Sequence, residues 1–140
     1  MDVILDTDTL IHAERHSLAL GELLESADHP SIAAITMTEL TVGVAFARTD
    51  IQLQQRLRFV RTVHETCDVI GYGSRMIAAH AALIVWTKQH GAPHGPHDLI
   101  IAATAVAENR TLVTKEQPPA FELPGLAVRR VLPGESAPAG

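Results

Sequence analysis

Three acids, Asp6, Glu39 and Asp98, each stand where an apolar run ends or a helix should begin. They are far apart in sequence, but all lie at the mouths of buried elements, so they can converge on one point. Two carboxylates brought to 4 Å in a medium of effective dielectric near 20 repel by roughly 4 kcal/mol. A divalent cation removes that cost. Oxygen-only ligands select hard ions, Mg2+ or Mn2+, over zinc. A water on such an ion becomes a nucleophile near neutral pH, and the chemistry this donor set suits is hydrolysis of a phosphate ester. Each acid also has a local alternative. Asp6 or Asp8 can cap a helix, Glu39 can be the return arm of a capping box, and Asp98 can be a first-turn acid favoured by the helix dipole.

The elements that must position these acids are readable in outline. Val3-Ile4-Leu5 is a short apolar run bounded by Asp-Thr-Asp-Thr, which predicts a buried strand followed by a helix start. Leu18 to Ala27 is amphipathic after Ser17 and predicts a helix ended by Asp28-His29-Pro30, before a strand near Ser31 to Ala34. Thr36-Met37-Thr38-Glu39 has the spacing of a capping box, which predicts a helix starting there. Asp50 to Glu65 predicts a surface helix with Leu53, Leu57, Val60 and His64 on its apolar face.

Cys67 to Ile70 predicts a strand, and Ser74 then caps a long helix that stops at Gly91. Gly91 to His97 reads as a loop, and Asp98 leads into Leu99 to Ala107, a helix apolar on nearly all sides and so expected in the core. Thr111 to Thr114 and Leu126 to Val131 are the last predicted strands. Residues 1–131 read as one domain and 132–140 as a mobile tail. Short apolar strands alternating with helices predict a parallel sheet covered on both faces. Ligands of such sheets bind at the carboxyl ends of the strands, where Asp6 would sit.

At 140 residues with 46% hydrophobic content, the chain has enough apolar surface for a single core. Its longest apolar stretches are too short to span a bilayer, so no membrane partner is expected. Without a basic flank, a long apolar segment or a small-residue cleavage site after Met1, a cytoplasmic location is expected. Cys67 is the only cysteine, which excludes an internal disulfide and predicts a small buried hydrophobe. A net charge of −5 argues against a general nucleic-acid binder. Arg48, Arg56, Arg58 and Arg61 lie close together, and form either a phosphate-facing patch or a solvated helix face.

The segments around residues 3–11, 35–43 and 96–105, followed by Thr111-Leu112-Val113-Thr114 and Phe121 to Leu126, resemble the successive motifs of PIN-domain ribonucleases. They are most like the VapC toxins of bacterial toxin-antitoxin pairs, in the family's order and spacing over about residues 1–131. The resemblance implies a three-layer α/β/α fold with a central, mainly parallel sheet, a Mg2+ or Mn2+ site, and endonucleolytic cleavage of RNA. It further implies a homodimer and a cognate antitoxin that covers the acidic groove. By motif position Asp6, Glu39 and Asp98 match the family's leading metal-binding acids, and the fourth acidic position lands on Glu116. The family more often has Asp or Asn there, and here Gln117 and two prolines follow. Asp8 stands where the family frequently has Asn or Ser, and serves as a ligand, an outer acceptor or a cap. Thr7, Thr114 and His97 are expected to contact substrate phosphate or orient a ligand.

Two other readings share these residues. Asp6-Thr7-Asp8-Thr9 also satisfies the D-x-D-x-T signature of haloacid-dehalogenase-type phosphatases, with Asp6 as the nucleophile, though no acidic pair follows Lys115 as that chemistry requires. A non-catalytic interaction module with the same fold is the other. His90, His94 and His97 invite a zinc site, but their spacing crosses two glycines and two prolines and fits loop histidines better. His12, His16 and His80 read as helix residues at or near the surface.

Overall fold

The computed structural model of the chain describes residues 1–91 and 94–132. Strands β1 (Asp2–Leu5), β2 (His29–Ala33), β3 (Asp68–Ile70), β4 (Thr111–Thr114) and β5 (Val128–Arg130) form one sheet in the order β3-β2-β1-β4-β5. Every neighbouring pair is parallel, as the alternation of strands and helices predicts. The helices are α1 (Thr7–Arg15), α2 (Ala34–Ala45), α3 (Asp50–Thr66), α4 (Ile77–His90) and α5 (Pro96–Ala107).

The two-residue period of the strands divides the core. Val3, Leu5, Ile32 and Val113 pack on one face with Leu10 and Ala13 of α1, Leu40 of α2 and Val63 of α3. Ile4, Ala33 and Leu112 point to the other face, against Leu83 of α4 and Leu99, Ile101, Ala102 and Ala105 of α5. A sheet buried on both faces explains why Val3-Ile4-Leu5 of β1 and Leu112-Val113 of β4 are consecutive apolar residues rather than alternating ones. The chain winds from β1 toward β3 on one side, then returns to β4 and β5 on the other. The carboxyl end of the sheet between β1 and β4 is therefore a topological switch point.

Several element boundaries differ from those expected. The helix predicted over Leu18 to Ala27 is only a 3-10 turn, Leu20–Glu22. Ser17 adopts a left-handed φ of 53°, and the Asp28 carboxylate accepts the Glu25 N–H at 2.8 Å, so local turns replace helical bonding. Helix α2 starts at Ala34 rather than Thr36, with Thr36 and Glu39 both inside it and no capping box formed. On α3 the buried residue is Val63, whereas Leu57 and His64 are exposed. Ser74 opens a 3-10 turn, Ser74–Met76, ahead of α4 rather than capping it, and α4 does end at a left-handed Gly91.

Helix α5 begins at Pro96, so Pro96 and His97 belong to its first turn and not to the predicted loop, and Asp98 is the first-turn acid it was expected to be. Ala92 and Pro93 of the predicted loop, and 133–140 of the predicted tail, lie outside the described residues. Leu132 packs against the core. Cys67 is buried as expected, and burial pushes its thiol up to about 11, which leaves it inert. Arg56 turns inward to donate to the Gly43 carbonyl at 2.7 Å, which removes it from any common patch with the exposed Arg48, Arg58 and Arg61.

At the amino end of the sheet, Arg129 of β5 makes a forked pair with Asp28, whose side chain is only 1% exposed. The hydrogen bond from Arg129 holds the Asp28 carboxyl below its ordinary range. A carboxyl with a depressed folded-state pKa contributes stability above its unfolded value near ~4, lost as pH falls through the folded value. Arg129→Met removes the guanidinium from that carboxylate and leaves it the Glu25 N–H and the Met1 ammonium. It is expected to cost about 3 kcal/mol in denaturant unfolding at pH 7, a loss that shrinks toward pH 3 as Asp28 protonates.

Candidate active site

Strand β1 ends at Leu5, but the Asp6 N–H still bonds the Val113 carbonyl at 3.1 Å, so Asp6 sits at the switch point as the last rung beside β4. It occupies the N-cap position of α1, yet its side chain makes no capping bond. Its carboxylate, on a residue 1% exposed, is held sideways instead. Oδ2 accepts the Thr114 hydroxyl at 3.0 Å and the Thr9 hydroxyl at 3.3 Å. Each threonine oxygen in turn accepts a backbone N–H, Thr9 from Lys115 at 2.8 Å and Thr114 from Glu116 at 3.0 Å. With their acceptor role taken by the backbone, both hydroxyl protons are aimed at Asp6. Asp6 Oδ1 is buried and has no hydrogen-bond partner among the described residues.

Glu39 reaches the same region from the second turn of α2. The Thr7 hydroxyl lies 2.9 Å from the Thr36 hydroxyl and donates to Glu39 Oε1 at 3.2 Å, tying the first turns of α1 and α2 together. His97 Nδ1 of α5 lies 3.5 Å from Glu39 Oε2. Asp98 follows in the first turn of α5, its Oδ2 in ordinary contact range of Gly95, where an added Cβ would lie 3.7 Å away. Glu116 stands just past β4, half-buried, with Lys115 Nζ 3.1 Å from its Oε1. Asp8 is exposed in the first turn of α1.

Burial first, and then the charges of Asp8, Asp98 and Glu116, push the Asp6 carboxyl up to about 7 against the opposing Thr114 hydrogen bond. Asp98 is raised as well, mainly by burial and then by Asp8, Glu39 and Glu116, with His94 acting the other way. These mutual effects bring Asp6, Asp8, Glu39, Asp98 and Glu116 into one electrostatic neighbourhood. Among the described residues no three acid, histidine or cysteine side chains already stand as a finished cation cage. Water would have to complete the shell, as it commonly does around Mg2+. The donor set still fits a hard cation, because its ligands are all oxygen and the buried Oδ1 is unpaired.

The other histidines are otherwise engaged. His90 stacks on Trp86, and His94 Nε2 accepts the Phe121 N–H at 3.2 Å. His12 stacks on His16, and His80 Nδ1 meets the Tyr72 hydroxyl at 2.9 Å. Thr9 and Arg130 were not singled out in the sequence. Thr9 carries a retrievable signal, a hydroxyl one helical turn after Asp6, whereas Arg130 carries none.

Residues 3–117 match the PIN domain model. The chain is 28% identical over 131 residues to a Ribonuclease VapC of Rickettsia bellii, covering 94% of this chain and 97% of that protein. It is 30% identical over 118 residues to Ribonuclease VapC2 of Rickettsia felis, covering 81% of this chain and 86% of that one. The chain belongs to the PIN-domain family. Its fold is similar to the crystal structure of VapBC2 from Rickettsia felis bound to a promoter DNA fragment, with TM-score 0.81 and 24% identity, over 94% of this chain and 99% of that one. VapBC-1 of nontypeable Haemophilus influenzae matches with TM-score 0.75 and 21% identity, over 93% and 98%. Both support the three-layer PIN architecture. Membership also sets aside the haloacid-dehalogenase reading of Asp6-Thr7-Asp8-Thr9.

A raised carboxyl pKa means that the folded PIN domain binds the Asp6 proton more tightly than the unfolded chain does. Stability is therefore greatest below the unfolded value near ~4 and falls as pH rises toward 7, by up to roughly 4 kcal/mol if the whole shift is expressed. In chelator, the melting temperature is expected to drop between pH 5 and pH 8 in wild type. Asp6→Asn should show a much smaller drop and should melt higher than wild type at pH 8.

Proposed function

We propose that this PIN-domain chain is the toxin of a type II toxin-antitoxin pair, a Mg2+- or Mn2+-dependent endoribonuclease whose site is formed by Asp6, Glu39, Asp98 and Glu116. The observation that carries the reading is the unpaired, buried Oδ1 of Asp6 at the switch point, within the field of the other acids. The naming of relatives over nearly the whole chain as ribonucleases supports RNA as the substrate.

In this reading Asp6, Asp98 and Glu39 hold the ion, and Glu116 completes the acidic site. A bound divalent ion supplies a water of lowered pKa and neutralises charge that develops on the phosphate oxygens. Thr114 and Thr9 keep Oδ2 of Asp6 occupied, which leaves Oδ1 as the oxygen that would meet the ion. Thr7 orients Glu39. Of the three residues expected to meet substrate, Thr7 and Thr114 are buried and act through the acids. The exposure of His97, 53% of its side chain, supports it as the residue of the three that would meet a phosphate.

Neighbouring folds include complexes from toxin-antitoxin systems, which supports a cognate antitoxin partner. A cleft between α1, α2 and α3, lined by Ile11, Leu40, Phe59 and Val60 together with Glu39, Arg15 and Arg56, suits a largely apolar antitoxin segment. Self-association would use the outer face of α4, where Ile77 and Val85 are more than half exposed on either side of Ala81. No helix among the described residues is long and apolar enough to cross a membrane, and the proposed place of action is the cytoplasm.

Purified protein is expected to cut a mixed structured RNA in Mg2+ or Mn2+ but not in chelator, and Asp6→Asn and Asp98→Ala should each lose at least about 100-fold in rate, the scale of removing an electrostatic stabiliser of the transition state. A correctly folded wild type that cuts nothing in either metal would leave the non-catalytic module as the reading. Val85→Glu is expected to shift a dimer to monomer in sedimentation without unfolding it; unchanged mass would remove α4 as the self-association face.

A further inference from the structure

Arg130 closes β5, two strands away from β1, and carries no chemistry of its own for the acidic site. Its guanidinium nevertheless spans the segment that delivers the fourth acid. Nη1 donates to the Glu116 carbonyl at 2.6 Å and Nη2 to the Ala120 carbonyl at 2.7 Å, so one planar fork fixes two points four residues apart. It forms no ion pair among the described residues. Between those points Gln117, Pro118 and Pro119 are exposed, and the segment is seated on the core at its far end through Ala120, whose N–H also donates to the Gln117 carbonyl at 3.1 Å.

The other side of Glu116 is anchored to the site itself. Its N–H donates to Thr114 Oγ1, the hydroxyl that donates to Asp6 Oδ2. The Val131 N–H, next to Arg130, bonds the Thr114 carbonyl at 2.9 Å. Glu116 therefore has its N–H fixed by a threonine of the acidic site and its carbonyl fixed by Arg130.

We infer that Arg130 is a positioning residue of the acidic site, fixing the Glu116–Ala120 segment and thereby where the Glu116 carboxylate stands relative to Asp6 and Asp98. This rests on the proposed reading of those acids as a cation site. Lysine at this position reaches one carbonyl but not both, because a single ammonium replaces the fork. A hydrophobic residue reaches neither and leaves the Glu116 carbonyl without that anchor.

The test is the rise in melting temperature of the full chain across a Mn2+ titration, for wild type, Arg130→Met, Arg130→Lys, Glu116→Gln and the pair Glu116→Gln with Arg130→Met. Glu116→Gln and Arg130→Met are each expected to weaken Mn2+ by about tenfold, with Arg130→Lys between them and wild type. Arg130→Met should add nothing once Glu116 is Gln, because both changes remove the same placed carboxylate. Equal further loss in the two backgrounds would make Arg130 a general structural residue and overturn the inference, as would no loss in either, or no effect of Glu116→Gln. If Arg130→Met does not fold, the same comparison with Arg130→Lys decides. A wild type with no Mn2+-dependent melting overturns the cation-site reading and this inference with it; a wild-type rise that Arg130→Met leaves untouched overturns this inference alone.

Discussion

The Asp6 carboxylate is held by two threonine hydroxyls on one oxygen and by nothing on the other, and much of the surrounding architecture follows from that asymmetry. The parallel pairing of β1 with β4 places Leu5 opposite Val113, which brings Thr114 alongside Asp6. The start of α1 straight after Asp6 puts Thr9 one turn later on the same side. Neither hydroxyl is free to turn away, because the N–H groups of Lys115 and Glu116 occupy their acceptor positions. A carboxylate satisfied on both oxygens would be an inert core acid. Half-satisfied and buried, it is an acid that favours a proton or a cation.

Asp28 shows that burial alone does not set this behaviour. Its side chain is as sealed from water as Asp6, yet its carboxyl sits low because Arg129 meets it with a fork. Asp6 has no such cation and is pushed up to about 7, with other acids adding to the burial. The sheet thus carries two buried aspartates at opposite ends of its strands. One is neutralised within the chain and ties β5 to the β2 entrance; the other is left for something from outside. In a parallel sheet all the strand ends that can host a ligand lie on one side, so this division of labour is also a division of the molecule into a stabilising end and a reactive end.

The periodic and buried parts of this organisation were legible in the sequence. Short apolar runs such as Val3-Ile4-Leu5 and Leu112-Val113, bounded by turn residues, suit strands sealed on both faces, and the longer Leu99 to Ala107 suits a core helix, so sheet and layers follow from hydrophobic pattern and segment length. What misled was local chemistry with more than one outcome. Leu18 to Ala27 has a helical pattern but no helical start, because Ser17 turns left-handed and Asp28 caps a turn with its side chain. The Thr36–Glu39 spacing mimics a capping box, while the hydroxyl and carboxylate are instead drawn to Thr7 of another helix. The acids stood out because an isolated carboxylate at the end of an apolar run is costly without a purpose. Arg130 did not, because two carbonyl acceptors on an irregular segment leave no mark in a one-dimensional pattern.

An exposed ion pair loses little when it opens, but the unpaired face of Asp6 is buried, and the charges that raise its pKa are those of Asp8, Asp98 and Glu116. Any cation that fits there gains from the low local dielectric and from relief of repulsion among Asp6, Asp98 and Glu116 together. That gain is indifferent to whether the cation is a metal ion or a side chain carried by a partner. A divalent ion and a cationic side chain brought by a partner would compete for one electrostatic well, and the depth of that well would link them. Lys115, already 3.1 Å from Glu116, shows on a small scale how a side-chain cation enters it from within the chain. Deepening the well by further burial would favour both occupants, and would also raise the cost to the fold when neither is present. The four neutral hydroxyls of Thr7, Thr9, Thr36 and Thr114 hold the acids in place without adding a resident charge, which keeps that cost in the range a domain of this size can carry.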